Sequence, residues 1–428
     1  MLRVRLTKRA IFFHSLLPIL VAAYLTWMPW SVPVTLSESF SYIEFSAQHS
    51  LGYPVFLNLF ELISPERSNV ILAQIWIFAF AVFYLSLSVR KNTDSHLLGI
   101  IIALPVLFNP FILSTHYTIL PHSLFISFSV LTVAFFLSAF GRAWFFNLFG
   151  LGTSIGLCII LECFGWVYLV VMILAAPLIA RHNQCSYAKA FILPLFFCLA
   201  LTSLEGATHK ALHETKNDRP HAPHIFANAA LMETHQTTPY AEKDPRTLIW
   251  DMIEKDLDEK RQDIWTSKNF DERIVKLQSI QSDVEDYFAD YQITEAAQLL
   301  DKTPNELRLD LAHARIIQDP LAFMQMMVDQ YRRLWHGERM ITYPLWGLTF
   351  ITLLIGLWCL LTGSPFNAMF AGAFISATIM QCLTLWIAYT GLGPTNIVTL
   401  LSPLFSICFL SIILGFYIAF VSPLRHDH

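Results

Sequence analysis

Residues 121–140 read PHSLFISFSVLTVAFFLSAF, and this stretch decides the class of fold. It contains no Asp, Glu, Lys or Arg, and its one ionisable group is the imidazole of His122. A helix of about 20 residues rises about 30 Å, which is the thickness of the hydrocarbon core of a bilayer. The stretch therefore predicts a membrane-spanning helix.

Similar apolar runs lie on both sides of this one, and the whole chain shares their character. Of its 428 residues, 55% are hydrophobic and only 14% are charged, which excludes an ordinary soluble protein. We predict an all-α, polytopic helical membrane protein of about ten transmembrane helices. In order, the predicted spans cover residues 10–28, 69–89, 97–115, 121–140, 144–161, 163–180, 187–204, 341–361, 366–388 and 396–420.

The apolar run from Trp144 to Ala180 is too long for one membrane-spanning helix. A single helix of that length would reach about 55 Å and overshoot the bilayer. The run is interrupted by Glu162-Cys163-Phe164-Gly165, and we predict a hairpin there.

The basic residues predict the orientation of the spans. With ten spans and an inner amino terminus, the short outer loops contain only Arg67, which is a clear positive-inside bias. The inner segments contain Arg3, Arg5, Lys8, Arg9, Arg90, Lys91, Arg142, Arg181, Lys189 and Arg425. A basic segment before the first apolar run is also typical of a signal peptide, but no small-x-small cleavage site follows, which favours an uncleaved first span.

This orientation predicts three parts of the chain. Residues 1–204 form an N-terminal transmembrane module with seven spans and a first outer loop at 29–68. Residues 205–338 form a mainly helical outer insert, and residues 339–428 form a C-terminal module with three spans. Acidic residues outnumber basic ones in the insert, which argues against a nucleic-acid partner. All seven cysteines lie in or next to spans without a C-x-x-C pair, so the insert has no disulfide framework.

The first outer loop contains the most unusual polar stretch, Ser37-Glu38-Ser39-Phe40-Ser41-Tyr42. We expect Ser37 to cap a helix that reaches Gln48. We expect Pro54 to open a second helix over residues 55–62, after a break at Gly52-Tyr53-Pro54. From spacing alone, an interfacial helix on the membrane surface and a functional site fit this stretch equally well.

Helix signals are clear in the insert. Asp244-Pro245 predicts a helix through about Gln262, Thr303-Pro304-Asn305-Glu306 is a capping box, and Asp319-Pro320 predicts a further helix start. Two apolar stripes follow the last two signals: Leu307, Leu311, Ala314 and Ile317, then Leu321, Met324, Val328, Tyr331 and Trp335. Such stripes pack against a core, and the sequence does not choose between the insert itself and the membrane surface.

Several motifs together resemble one family. Residues 38–42, E-S-F-S-Y, resemble the D-S-x-S-Y signature in the first outer loop of bacterial GT-C superfamily glycosyltransferases. G-Y-P-V-F-L at 52–57 resembles the G-[YH]-P-L-[FY]-L segment that follows it in that family. H-S-L-F at 122–125 resembles the loop before the fourth span, although His122 stands where an acid is common and Glu162 stands where a base is common. Residues 225–231 and 314–323 resemble segments of the large outer loop.

The resemblance implies a reaction and a location. The chain would transfer a sugar from a polyprenyl-phosphate-linked donor to an acceptor hydroxyl at the outer face of the bacterial inner membrane, with the insert in the periplasm and both termini in the cytoplasm. Glu38 stands where the family has its catalytic Asp and inherits the role of base. The candidate substrate-binding residues are Ser41, Tyr42, Tyr53, His116, His122, Arg332 and Arg333. The acceptor stays open among glycan, lipid and protein.

No cofactor is required by the motifs, and a divalent cation such as Mg²⁺ or Mn²⁺ between Glu38 and a second carboxylate is an option. The pair His209 and His213 has i, i+4 spacing but no third ligand, so we predict no zinc site. His116 and His122 also fit interfacial hydrogen bonding, and Arg332 with Arg333 also fits anchoring of the next span. Two other functions stay open: a catalytically inactive relative that binds lipid-linked glycan or a partner enzyme, and a lipid or solute transporter.

Overall fold

The computed structural model describes residues 8–27, 33–46, 49–63, 66–213, 221–233, 240, 244–267, 269–284, 291–334, 339–362, 367–391 and 397–421. Within these residues the chain forms α-helices and no β-strand, and one isolated parallel bridge joins Val34 to Thr118. The helices are α1 Lys8–Trp27, α2 Ser37–Ile43, α3 Gly52–Glu61, α4 Ser68–Thr93, α5 His96–Leu107, α6 Pro110–Thr115, α7 His122–Gly141, α8 Phe145–Leu161, α9 Val167–Asn183, α10 Tyr187–His213, α11 Ala222–Leu231, α12 Pro245–Thr266, α13 Phe270–Asp283, α14 Tyr291–Leu299, α15 Pro304–Gln318, α16 Pro320–Leu334, α17 Arg339–Thr362, α18 Ala368–Thr390 and α19 Ile397–Val421.

The predicted all-α, polytopic membrane architecture is confirmed. Each of the ten predicted apolar runs contains a helix. Among the described residues, six helices are long and apolar enough to cross a membrane: Ser68–Thr93, His122–Gly141, Phe164–Asn183, Tyr187–His213, Ala368–Thr390 and Leu400–Ala419. Four shorter apolar helices are Ile11–Trp27, His96–Leu107, Phe145–Leu161 and Trp346–Thr362.

The chain divides into two compact units. The first unit contains residues 1–216, 344–383 and 396–428, and the second contains residues 217–343 and 384–395. In the first unit, α4 packs against α1, α5 and α7, whereas α8 packs against α7 and α10.

Burying hydroxyl side chains in the apolar helices costs little free energy, because each hydroxyl donates a hydrogen bond to a backbone carbonyl of its own helix. In α7, Ser127 donates to the carbonyl of Ser123 (2.9 Å) and Ser129 donates to that of Phe125 (2.7 Å). A hydroxyl that is satisfied in this way does not need a partner on another helix.

Two predicted boundaries in the spans can be compared with the structure. The interruption at Glu162 is confirmed, because α8 ends at Leu161 and a 3₁₀ turn, Cys163–Trp166, precedes α9. The prediction of one helix over residues 97–115 is wrong, because α5 ends at Leu107 and α6 begins at Pro110. Proline has no N–H to continue the helical bonds, and hydropathy does not register this.

The first loop forms two short helices, as predicted, but with different ends. Ser37 is the first residue of α2 rather than its cap. Instead, the hydroxyl of Ser39 accepts a hydrogen bond from the Leu36 N–H (3.0 Å). Helix α2 ends at Ile43, before the predicted Gln48, and α3 already begins at Gly52. The hydroxyl of Ser39, the third helical residue, therefore accepts at the start of α2 in place of the expected Ser37 cap.

The predicted helix starts of the second unit are confirmed. The Asp244 side chain accepts from the Arg246 N–H, and Thr303 with Glu306 forms the capping box. The core of this unit includes Phe226, Trp250 and Leu307, all with no exposed surface.

The second unit also holds the end of α18. The Asn228 amide donates to the carbonyls of Ala388 (3.2 Å) and Tyr389 (3.0 Å), and the Gln281 amide donates to that of Gly391 (2.7 Å). Gly391 has φ +76°, and a Cβ there would lie 2.4 Å from the Gln281 amide nitrogen. Glycine suits this position because L side chains rarely adopt this conformation, and a Cβ would displace the amides that cap α18.

One of the predicted stripes faces out of the second unit. Leu307 and Leu311 are buried, but Ile317 is 79% exposed. In α16, Leu321 is 81% exposed and Met324 is 57% exposed. Ile317 and the α16 stripe therefore do not pack in the core of their own unit, and the alternative of the membrane surface stays a prediction. Trp335 lies outside the described residues.

Candidate functional site

The first loop is joined to the segment that precedes α7. The Val34 N–H donates to the Tyr117 carbonyl (2.8 Å), and the Ile119 N–H donates to the Val34 carbonyl (3.1 Å). These two bonds form the parallel bridge between Val34 and Thr118. Two segments that the sequence singled out separately are thereby neighbours.

Apolar contacts extend this junction into a cluster, which we call the loop cluster. It brings together side chains of α2, α3, α4, the segment before α7, α7 and the end of α8. Its buried members are Tyr42, Tyr53, Leu57, Val70, Ile119, Leu120, Leu124 and Leu161. The candidates Tyr42 and Tyr53 therefore share one cluster with the residues next to His122 and Glu162.

Close backbone packing explains why the Gly52-Tyr53-Pro54 motif begins with glycine. A Cβ on Gly52 would lie 2.3 Å from the carbonyl oxygen of Ile160, far inside contact distance. The backbone of α3 can approach the end of α8 only without a side chain at this position. Gly52 thus sets the first loop against the turn that carries Glu162.

Helix α2 presents the predicted catalytic motif. The backbone of Glu38 lies in the first turn of α2, but the side chains of Ser37 and Glu38 lie outside the described residues. The hydroxyl of Ser41 lies 2.8 Å from Nε2 of His49, and the Tyr42 ring stacks on the His49 ring with centroids 4.1 Å apart. Burial lowers the pKa of His49, which favours its neutral form. Ser41 and Tyr42 therefore hold the imidazole of His49 beside the motif.

Tyr53 is fully buried. Its hydroxyl accepts a hydrogen bond from the Gln74 amide nitrogen (2.8 Å), and burial raises the pKa of this phenol despite that bond. The amide oxygen of Gln74 is buried and has no hydrogen-bond partner among the described residues. As placed, Tyr53 orders the cluster from within, and its contact with a substrate stays a prediction.

The side chain of His116 is buried, whereas a residue that binds a ligand at the protein surface would be exposed. It has no exposed surface, its Nδ1 lies 2.7 Å from the Ser123 hydroxyl, and its ring packs at 4.6 Å from the Phe78 ring. Burial lowers the pKa of His116 to about 3. The imidazole is therefore neutral at neutral pH and supplies no positive charge there. Its role in substrate binding stays a prediction.

His122 and Glu162 face each other. Nε2 of His122 lies 3.7 Å from a Glu162 carboxylate oxygen, and the two side chains are only 14% and 11% exposed. The two positions that the sequence singled out separately, His122 and Glu162, are thus neighbours. When His122 is protonated, the two groups form an ion pair.

Three further contacts had no clear sequence signal. Gln74 lies within an apolar span, and His49 stands outside every quoted motif. Glu205 lies at the predicted start of the insert, yet its carboxylate accepts from the Leu51 N–H (3.1 Å), 154 residues earlier. A polar residue inside an apolar run could have marked Gln74, whereas nothing local links Glu205 to the first loop.

The candidate cations Arg332 and Arg333 belong to the second unit, near the end of α16. The Arg332 side chain is 53% exposed, lies 4.0 Å from Asp329, and stacks 4.3 Å from the Phe270 ring. Arg333 is 7% exposed. The exposed Arg332 therefore has the freer guanidinium for an anion, and binding of the donor phosphate by either residue stays a prediction.

The described residues do not fit a divalent cation. No three His, Cys, Asp or Glu among them are close enough to share a metal ion. His209 and His213 lie with ring centroids 4.7 Å apart and without a third ligand in the described part of the chain. We therefore derive no step through a metal ion.

No protein-family model matches this sequence, and neither a curated protein nor a solved structure matches it.

Proposed function

We propose that the protein is a membrane glycosyltransferase of GT-C type, which moves a sugar from a polyprenyl-phosphate donor to an acceptor hydroxyl. The proposal rests on one observation: the first-loop motif, the segment before α7 and the turn at Glu162 meet in the loop cluster. The positive-inside bias supports cytoplasmic termini and a periplasmic insert in a bacterial inner membrane.

The proposed reaction needs one base and one charge-stabilising group. The acceptor oxygen forms a bond to the anomeric carbon of the sugar, and the bond from that carbon to the phosphate oxygen breaks. Glu38 takes the acceptor proton, and the prenyl phosphate leaves with the bonding electron pair. The imidazole of His122, which lies 3.7 Å from Glu162, is the nearest candidate to donate a hydrogen bond to that phosphate.

An apolar pocket is a further argument that the donor carries a prenyl chain. It has a volume of about 200 Å³ and lies between α7 and α8, with Phe128, Leu131 and Phe135 on one side. Phe128 also packs against the loop cluster. A prenyl chain in this pocket would have its phosphate end close to the cluster, where His122 and Glu162 lie.

The test is sugar transfer by the purified protein with prenyl-phosphate donors, comparing wild type with Glu38→Gln. We expect the substitution to lower turnover about 100-fold or more, because it removes a general base, and to leave prenyl-phosphate binding unchanged. Glu44→Gln is the matched control, since Glu44 is an exposed carboxylate at the other end of α2.

The other outcomes would overturn either the site assignment or the proposed reaction. Full turnover in Glu38→Gln would overturn the site assignment and leave the reaction standing. Binding of prenyl phosphate without transfer of any sugar would indicate the inactive lipid-glycan binder. Movement of the lipid or a solute across a proteoliposome membrane without transfer would indicate the transporter.

A further inference from the structure

Helix α16 exposes large apolar side chains on one face. Ile317 lies at the end of α15, and after the break at Asp319 the side chains of Leu321, Met324 and Val328 follow at i, i+3 and i+7 on α16. We call these four residues the exposed stripe. Their exposed fractions are 79%, 81%, 57% and 50%. Contiguous apolar surface of this kind on a folded unit marks a contact with another apolar body.

The opposite face of α16 buries polar groups. Asp329 is 4% exposed and its carboxylate pairs with Arg273 at 2.8 Å. Gln330 is 1% exposed, and its amide donates to Asn228 (3.0 Å) and Gln281 (3.2 Å). Rotation of α16 to bury the exposed stripe would remove these polar groups from their partners. The orientation of α16 is therefore fixed, and the exposed stripe is a stable feature of the second unit.

Two observations indicate which body covers the exposed stripe. Helix α16 ends at Leu334, and the apolar helix α17, which is a predicted span, begins at Arg339. The last turn of α16 contains Arg332, whose side chain is 53% exposed, at the end that approaches this span. A helix with an apolar face and a cation beside it is typical of the boundary between lipid head groups and acyl chains.

We propose that the exposed stripe lies in the membrane interface, with Leu321, Met324 and Val328 among the acyl chains and Arg332 at the level of the lipid phosphates. The second unit then contacts the bilayer through α16. This inference depends on the apolar spans and on α16 and does not depend on the glycosyltransferase proposal.

The test places an environment-sensitive fluorophore at residue 321, 324 or 328 of the full chain in lipid nanodiscs. A genetically encoded, click-reactive residue carries the dye, because the seven native cysteines exclude thiol labelling. Lipids with brominated acyl chains should quench emission at the three positions about twofold or more, whereas aqueous iodide should leave it nearly unchanged. The control is the same dye at residue 259, because Glu259 is an exposed position on α12. It should show the opposite pattern.

Other patterns overturn the proposal. Quenching by iodide at all three positions, as at residue 259, would place the exposed stripe in water. Protection from both quenchers, with cross-links between chains that increase with protein density, would assign the exposed stripe to a second copy. Because the labelled side chains point away from the core, hydrogen exchange of α12 and α15 should match that of the unlabelled protein and verify the fold.

Discussion

The second unit and the surroundings of the loop cluster bury different kinds of polar group. In the second unit, the fully buried Arg315 and the nearly buried Arg261 share the carboxylate of Glu254, with Arg315 at 2.6 Å. Beside the loop cluster the buried groups are neutral: the Gln74 amide oxygen and Nε2 of His116 have no hydrogen bond from the described residues, as is also true of Oε1 of Gln330 in the second unit. Compensated charge fixes a structure, whereas an open acceptor is a place where a ligand or a water molecule can bind.

The largest expected effect is in the second unit. Glu254→Gln should leave Arg315 and Arg261 buried without their shared carboxylate, at a cost of about 3–5 kcal/mol in the free energy of unfolding. Hydrogen exchange of peptides from α12 and α15 measures this loss locally. Glu259→Gln on the exposed face of α12 is the control and should be nearly neutral. A loss under about 1 kcal/mol for Glu254→Gln would mean that the charges do not fix this unit.

A smaller effect is expected for His116 and depends on pH. Its folded pKa, about 3, is below the model-peptide value of 6.5, so the unfolded chain takes up the proton first as the pH falls. The contribution of His116 to stability is complete above pH 6.5 and falls by about 1.4 kcal/mol per pH unit below it, or about 2 kcal/mol by pH 5.

Thermal unfolding in nanodiscs at pH 7.5 and pH 5.0 tests this dependence. His116→Gln should reduce the difference between the two conditions, whereas His313→Gln, at an exposed position of the second unit, should leave it unchanged. An equal acid loss in wild type and His116→Gln would contradict the buried, neutral imidazole.

The smallest effect is expected for the bond between Gln74 and Tyr53. Tyr53→Phe removes the acceptor of the Gln74 amide and should cost about 1 kcal/mol. Because both groups are buried, the double variant Tyr53→Phe with Gln74→Leu should be less destabilised than the sum of the single variants. Unfolding midpoints of the four proteins give the coupling. Strict additivity would show that the bond adds nothing to the cluster.

Much of the fold follows from composition, because an apolar run of about 20 residues has few alternatives to a membrane-spanning helix. Capping residues such as Asp244 and Thr303 set helix starts by local bonds, so they too were predictable. The break before Pro110 was missed because hydropathy averages over a proline. The period of the α16 stripe predicted a face correctly, but period cannot say whether that face meets a core or a bilayer.

The site was predictable only in pieces. The motif at residues 38–42 and the Gly52-Tyr53-Pro54 segment were visible in the sequence, but the predicted break at that segment is wrong, because these residues begin α3. Gly52 has a steric reason at the end of α8. The contact between His122 and Glu162 was not visible, since each position looked like an isolated substitution. The bond from Leu51 to Glu205 spans 154 residues, and no local pattern encodes such a distance.

The cap on α18 has a consequence for biosynthesis. Asn228 finds its carbonyl partners 160 and 161 residues later in the chain, and Gln281 finds its partner 110 residues later. Residues 217–343 therefore leave the ribosome before the carbonyl partners of these amides at the end of α18 have been synthesised. The second unit completes its fold only late in translation, so a chain that stops before Gly391 would display an unfinished domain to the quality-control proteases of the membrane.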